Sequence, residues 1–167
     1  MDKKKWQQRF RNFIIPEFSR RQLIRLAVIG GAAVAFFALF KPCFISGSSM
    51  EPSWGDRTFT LSFRGRYWFA LPKRGDVVTV SYFGREELLK RVVALPGDTV
   101  EFRNGILWLN GEMLQENYVK NPCRWNSEPL TVRDGFCFVV GDNRSQEQAD
   151  HLFGEVRLKN ISGGVLF

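Results

Sequence analysis

Three short segments hold residue types that can cooperate in acyl transfer. The first is Gly47-Ser48-Ser49-Met50-Glu51-Pro52, followed by Trp54-Gly55-Asp56. A serine between glycine and a Met-x-Pro turn sits on a constrained loop. Such a loop exposes the hydroxyl and keeps a main-chain N–H available for an oxyanion. The second is Leu88-Leu89-Lys90-Arg91-Val92-Val93-Ala94-Leu95-Pro96-Gly97-Asp98. Lysine is rarely buried, and burial disfavours its charged form, so a lysine in an apolar run can become a proton acceptor near neutral pH. Strand alternation places Lys90 with Leu88, Val92 and Ala94, and Arg91 with Leu89, Val93 and Leu95. Both faces are apolar, so periodicity does not choose between the two cations. Chemistry does, because a guanidinium stays protonated in proteins. The third segment, Phe138-Val139-Val140-Gly141-Asp142-Asn143-Arg144-Ser145, runs an apolar strand into a polar loop and continues to Ala149-Asp150-His151. Each segment alone also reads blandly, as a surface loop, an edge strand with solvated cations and a turn.

The rest of the chain has to position these residues. Residues 1–25 carry eight Lys/Arg against two acidic residues, whereas the remaining 142 carry sixteen against fifteen. The overall charge of +7 therefore belongs to one end, directly before the apolar run Leu26–Phe40. A basic flank before an apolar run is the positive-inside pattern of a membrane segment rather than a phosphate-binding face, and it excludes a nucleic-acid partner. The reading is a basic cytoplasmic segment over 1–22, a transmembrane anchor over 23–42 and an extracytoplasmic domain over 43–167. The anchor is short, with Arg25 and Lys41 snorkelling. A cleaved signal peptide is the competing reading, since Ser46, Gly47 and Ser48 follow the apolar run.

Beyond Cys43, short runs of Val, Phe, Leu and Thr alternate with Gly, Asp, Asn and Pro. Arg57–Phe63, Asp76–Phe83, Leu88–Leu95, Asp98–Phe102, Ile106–Leu109, Leu130–Arg133 and Phe136–Val140 are expected strands. Asn104-Gly105 and Asn110-Gly111 are expected hairpin turns. The fold class is mostly β: one N-terminal transmembrane helix, then a folded sheet or barrel. Tyr67, Trp68, Phe69 and Leu71 suit either a lipid interface or a core strand. Cys123 and Cys137 could pair in an oxidising compartment or stay as buried thiols. With one histidine and no CxxC, no metal or cofactor is expected.

Ser-Met-x-Pro, Lys-Arg-Val-x-x-x-Pro-Gly-Asp and Gly-Asp-Asn-Arg, in that order after one apolar segment, resemble the type I signal peptidases. Pro72-Lys73-Arg74-Gly75-Asp76-Val77-Val78 and Gly105-Ile106-Leu107-Trp108-Leu109-Asn110-Gly111-Glu112 strengthen the resemblance, which covers about residues 43–160. It implies a folded β catalytic domain and a Ser/Lys dyad that cuts preprotein signal peptides after a small residue in an Ala-x-Ala context. Carried over, Ser49 is the nucleophile, Lys90 the general base and the Ser49 N–H an oxyanion donor. Ser48, Asp142, Asn143, Ser145 and Asp150 are supporting candidates, with Ser145 considered for orienting Lys90. The implied setting is a monomer in a plasma membrane, in contact with lipid.

Three features depart from the family pattern. Gly47 stands where some members have a second oxyanion serine. Asp150 matches the family's aspartate only with a one-residue shift, and His151 stands where a serine is expected. About forty residues separate the second and third segments, so the domain is a minimal core. The rival readings are a Ser49/His151 triad, a membrane-tethered β module that binds peptide without cutting, and a self-cleaving Ser/Lys regulator, for which no helix-turn-helix pattern is present.

Overall fold

The computed structural model describes residues 19–82, 86–120, 123–145 and 154–166, with side chains for all of these except 82–87. The chain divides into two compact units, 1–38 and 39–167.

The first unit contains α1, Arg20–Leu39. Ser19 and Gln22 begin it with a reciprocal cap. The Gln22 N–H donates to Ser19 Oγ at 3.3 Å and the Ser19 N–H donates to Gln22 Oε1 at 2.8 Å, which satisfies two of the N–H groups a helix start leaves orphaned. Twenty residues at about 1.5 Å each give about 30 Å, the thickness of a bilayer's hydrocarbon core. α1 is long and apolar enough to cross a membrane, and none of its residues is buried within the protein. It ends at Leu39. Phe40–Pro42, expected as the last residues of the anchor, instead begin strand β1, since Pro42 has no N–H for a helix and pushes Lys41 toward extended geometry.

The second unit is antiparallel β. Its larger sheet has seven strands: β1 (Phe40–Phe44), β2 (Phe59–Phe63), β3 (Val77–Tyr82), β4 (Glu86–Ala94), β9 (Phe136–Val140), β10 (Gly154–Arg157) and β11 (Ile161–Val165). They are ordered β1-β2-β11-β3-β4-β9-β10. The smaller sheet has four: β5 (Thr99–Arg103), β6 (Ile106–Leu109), β7 (Glu112–Met113) and β8 (Leu130–Thr131), in the order β7-β6-β5-β8. The mostly β class is as expected. β2 to β6, β8 and β9 fall within or close to the anticipated runs. β1, β7, β10 and β11 carry no comparable alternation.

Asn104-Gly105 and Asn110-Gly111 turn the β5–β6 and β6–β7 hairpins. All four residues have positive φ, from 48° to 84°, as a type I′ turn requires. Gly105 is doubly constrained, because a Cβ there would run into the Cys123 carbonyl.

β4 and β9 lie next to each other and bury both faces. Val92, Val139 and Cys137 join Val78 and Val80 in one core, while Val93, Ala94, Phe138 and Val140 join Phe102, Leu107 and Trp125 in another. This explains why both strands read as continuous apolar runs rather than alternating ones. Cys43, Cys123 and Cys137 form no disulfide. Cys137 lies inside the first of these cores. Cys123 packs against the second, with Sγ 3.4 Å from the Gly105 carbonyl, so the two thiols belong to different cores.

Candidate active site

Ser49 sits in the turn between β1 and β2. Its neighbours Ile45 and Met50 are buried, so the loop is anchored on both sides. The Gly47 N–H donates to Asp56 Oδ1 at 2.8 Å, and Gly47 has φ +103°, where a β-carbon would be strained. Two hydrogen bonds come from one asparagine. The Asn143 backbone N–H donates to the Ser49 carbonyl at 3.0 Å, and Asn143 Nδ2 donates to the Ser48 carbonyl at 3.0 Å. The Gly141–Ser145 turn therefore holds the serine loop by its backbone. The Ser49 N–H donates in none of the hydrogen bonds among the described residues.

Lys90 lies on β4, opposite Val78 on β3 and two residues from Val92. Both valines are fully buried, and Lys90 itself is 3% exposed. Burial lowers its ammonium pKa from the usual 10.5 to about 8, with the Asp142 carboxylate pulling the other way. Lys90 takes part in no ion pair or hydrogen bond through its side chain among the described residues.

The adjacent cation explains this. Asp142 is 0% exposed and would be the natural partner for an ammonium, but Arg91 holds it bidentately, Nε at 2.8 Å and Nη2 at 2.6 Å. Arg91 Nη1 also donates to the Gly75 carbonyl at 2.8 Å. A guanidinium fork fits a carboxylate better than an ammonium does. Asp142 is thus neutralised by Arg91, and among the described residues Lys90 stays buried without a side-chain partner. The two cations that periodicity could not separate lie on opposite faces of β4 in different environments.

Beside Ser49 is a cavity of about 310 Å³. Lys41, Cys43 and Ile45 from the β1 side, Thr60, Thr79, and Leu88 and Leu89 of β4 contribute to its lining. Leu88 shares its strand face with Lys90. Behind it, buried hydroxyls satisfy one another: Ser62 Oγ and Thr79 Oγ1 are 2.9 Å apart, and Thr79 Oγ1 donates to the Gly163 carbonyl at 3.3 Å. Thr60, Thr79, Leu88 and Leu89 come from expected strands, but no sequence pattern marked any of them as lining a cavity.

The remaining candidates fall as follows. Ser48 contributes its carbonyl to Asn143. Ser145 is exposed, and its hydroxyl donates to Asn143 Oδ1 at 2.6 Å. The described contacts thus link it to the asparagine that holds the serine loop rather than to Lys90. Asp150 and His151 lie outside the described residues. Of the aromatic segment, Trp68, Phe69 and Leu71 are exposed, Phe69 to 97%. Tyr67 turns inward and donates to Asp76 Oδ2 at 3.0 Å. Among the described residues, no group of three or more His, Cys, Asp or Glu is placed to hold a metal.

The family model described as signal peptidase, peptidase S26, matches residues 19–167. A probable signal peptidase I-1 from Synechocystis sp. is 33% identical over 154 residues, spanning 87% of this chain and 78% of the relative. A signal peptidase I from Bacillus licheniformis is 31% identical over 160 residues, spanning 84% and 81%. A crystal structure of a signal peptidase I from Enterococcus faecalis aligns with TM-score 0.46 at 29% identity, covering 57% of this chain and 97% of the other.

Proposed function

This chain belongs to the signal peptidase family, peptidase S26, as a peptidase of the signal peptidase I kind, and on that premise we propose that Ser49 and Lys90 form its catalytic dyad. The observation that carries the assignment is the Gly141–Ser145 turn. Through Asn143 it holds the Ser49 loop, and through Asp142 it faces a buried Lys90 that has no side-chain partner among the described residues. One turn thereby ties a nucleophile to a base whose proton affinity suits neutral to mildly alkaline pH.

The reaction runs in two halves. Neutral Lys90 takes the proton from Ser49 Oγ as the oxygen attacks the scissile carbonyl carbon. The Ser49 N–H donates to the resulting oxyanion. The carbon–nitrogen bond then breaks, and the Lys90 ammonium gives its proton to the departing amine, leaving an acyl-enzyme. Lys90 next takes a proton from water as its oxygen attacks the ester carbonyl, the bond to Ser49 Oγ breaks, and the Lys90 ammonium returns the proton to Ser49 Oγ, releasing the carboxylic acid product and restoring both residues. The substrate would be an extended preprotein signal sequence. β1 lies at the edge of the larger sheet and lines the cavity, so it can add a peptide strand there. The cavity lining of Ile45, Thr60, Leu88 and Leu89 suits small side chains such as those of Ala-x-Ala. In this reading α1 is a single-pass anchor with its basic N-terminal flank in the cytoplasm, residues 43–167 lie outside, Trp68, Phe69 and Leu71 meet lipid, and the protein acts as a monomer.

The test is cleavage of a synthetic preprotein with an Ala-x-Ala site by the detergent-solubilised chain. Ser49→Ala and Lys90→Ala should each lose about a thousandfold or more in rate, with His151→Ala retaining activity. An essential His151 beside a dispensable Lys90 would replace this dyad by a triad. A wild type that binds but never cuts would point to a peptide-binding module.

A further inference from the structure

The Gly141–Ser145 turn carries a second ion pair with no part in the chemistry above. Arg144 is 1% exposed, and its guanidinium grips Glu116 with Nη2 at 2.6 Å from Oε1 and Nη1 at 3.1 Å from Oε2. Arg144 Nε closes the turn on the Gly141 carbonyl at 2.8 Å. Its guanidinium also lies over the Phe102 and Trp125 rings, 5.5 and 6.0 Å from their centroids. Glu116 comes from the segment after β7, outside all three sequence motifs. The Tyr118 hydroxyl donates to the same Glu116 Oε1 at 2.5 Å. The Tyr118 ring lies 4.0 Å beneath the Arg91 guanidinium, the group that neutralises Asp142.

These contacts form a closed circuit. Arg91 holds Asp142, two residues on Arg144 holds Glu116, Glu116 holds Tyr118, and Tyr118 supports Arg91. The circuit fixes both ends of the Asp142–Arg144 stretch, and Asn143 between them grips the Ser48 and Ser49 carbonyls. Buried pairs contribute little net stability over apolar replacements, but removing one partner leaves the other's charge buried and uncompensated. The charged group that acts on Lys90 is Asp142; Arg91 in turn faces Asp142, Tyr118 and Glu116, and Glu116 faces Arg144.

We propose that Glu116 and Tyr118 are positioning residues, which lock the Gly141–Ser145 turn so that Asn143 keeps the Ser49 loop in working register and Asp142 keeps its charge near Lys90. The proposal rests on the Ser49/Lys90 reading. Without Glu116, Arg144 loses its carboxylate and the turn its brace. Ser49 then samples unproductive positions, while Asp142 retreats from Lys90 and the amine becomes easier to deprotonate.

The experiment measures preprotein cleavage by the detergent-solubilised full chain from pH 6 to 10.5 in wild type, Glu116→Gln, Tyr118→Phe and Lys90→Ala. Glu116→Gln keeps shape and loses charge, and Tyr118→Phe removes one oxygen while leaving the ring under Arg91. In Glu116→Gln, kcat should fall about tenfold with KM within about twofold, as a misplaced nucleophile produces. The acid-limb midpoint of kcat/KM should move about half a pH unit below wild type. Tyr118→Phe should move it the same way by less, and it decides the matter if Glu116→Gln does not fold. An unchanged midpoint in a folded variant overturns the proposal whatever happens to kcat. Full activity in Lys90→Ala would instead overturn the dyad itself, which separates the two failures.

Discussion

Replacing Lys90 with methionine should make the protein more stable at neutral pH while abolishing its activity. Lys90 is 3% exposed, and its pKa of about 8 compares with 10.5 for a solvated lysine. At about 1.36 kcal/mol per pH unit, keeping that ammonium protonated in the fold costs about 3 kcal/mol. The folded state prefers the neutral amine, so between these two values the unfolded chain binds more protons and stability rises with pH. The penalty is complete below about pH 8 and gone above about pH 10.5. Methionine is apolar, unbranched and of similar length, so it fills the site without a cavity. It also leaves no orphan, because Asp142 remains paired with Arg91. Guanidinium unfolding of the detergent-solubilised chain is the assay. Lys90→Met should gain about 2–3 kcal/mol at pH 7 and close to nothing at pH 10.5. A variant no more stable than wild type at pH 7, or a gain equal at both pH values, would refute the claim that Lys90 is buried as a strained cation.

Two further outcomes follow from the same contacts. Asp142→Asn leaves Arg91 half-buried without its carboxylate, so unfolding should show a loss of about 3 kcal/mol. The same change removes the anion that favours the Lys90 ammonium, so any residual cleavage should have its acid-limb midpoint below that of wild type. Thiol titration should count three reactive thiols after denaturation, since no disulfide is formed. In the native protein Cys137 should be the slowest to react, because burial both shields it and pushes its pKa up to about 12.

Much of this architecture was legible because local chemistry and fold agree. The Asn-Gly pairs announced two hairpins, and the apolar runs of β4 and β9 announced strands, which the structure buries on both faces. Lys90 stood out because nothing apolar explains a cation in such a run. Other elements were hidden for physical reasons. β11 contains Gly163 and Gly164, and glycine weakens a strand signal. They are small because a Cβ on Gly163 would meet Ser62 and Phe63, and one on Gly164 would meet Arg66 and Tyr67. β1 was concealed by the apolar helix before it and by Lys41-Pro42. The Glu116–Arg144 pair joins residues 28 apart in two irregular segments, where no periodicity marks either side chain as buried. The division of labour between Lys90 and Arg91 needed the position of Asp142, which strand alternation does not provide.

The central claim is that a buried, neutral Lys90 deprotonates Ser49, and the pH dependence of kcat/KM tests it most directly, since it reports groups on the free enzyme. At pH 8 about half of Lys90 is neutral, against about 0.3% for an ordinary lysine, a difference of about 150-fold in available base. Cleavage of an Ala-x-Ala preprotein should therefore rise from pH 6 with a midpoint near 8 and level off above it. A midpoint near 6.5, the range of an unperturbed histidine, or a profile flat from pH 6 to 10, would contradict the account.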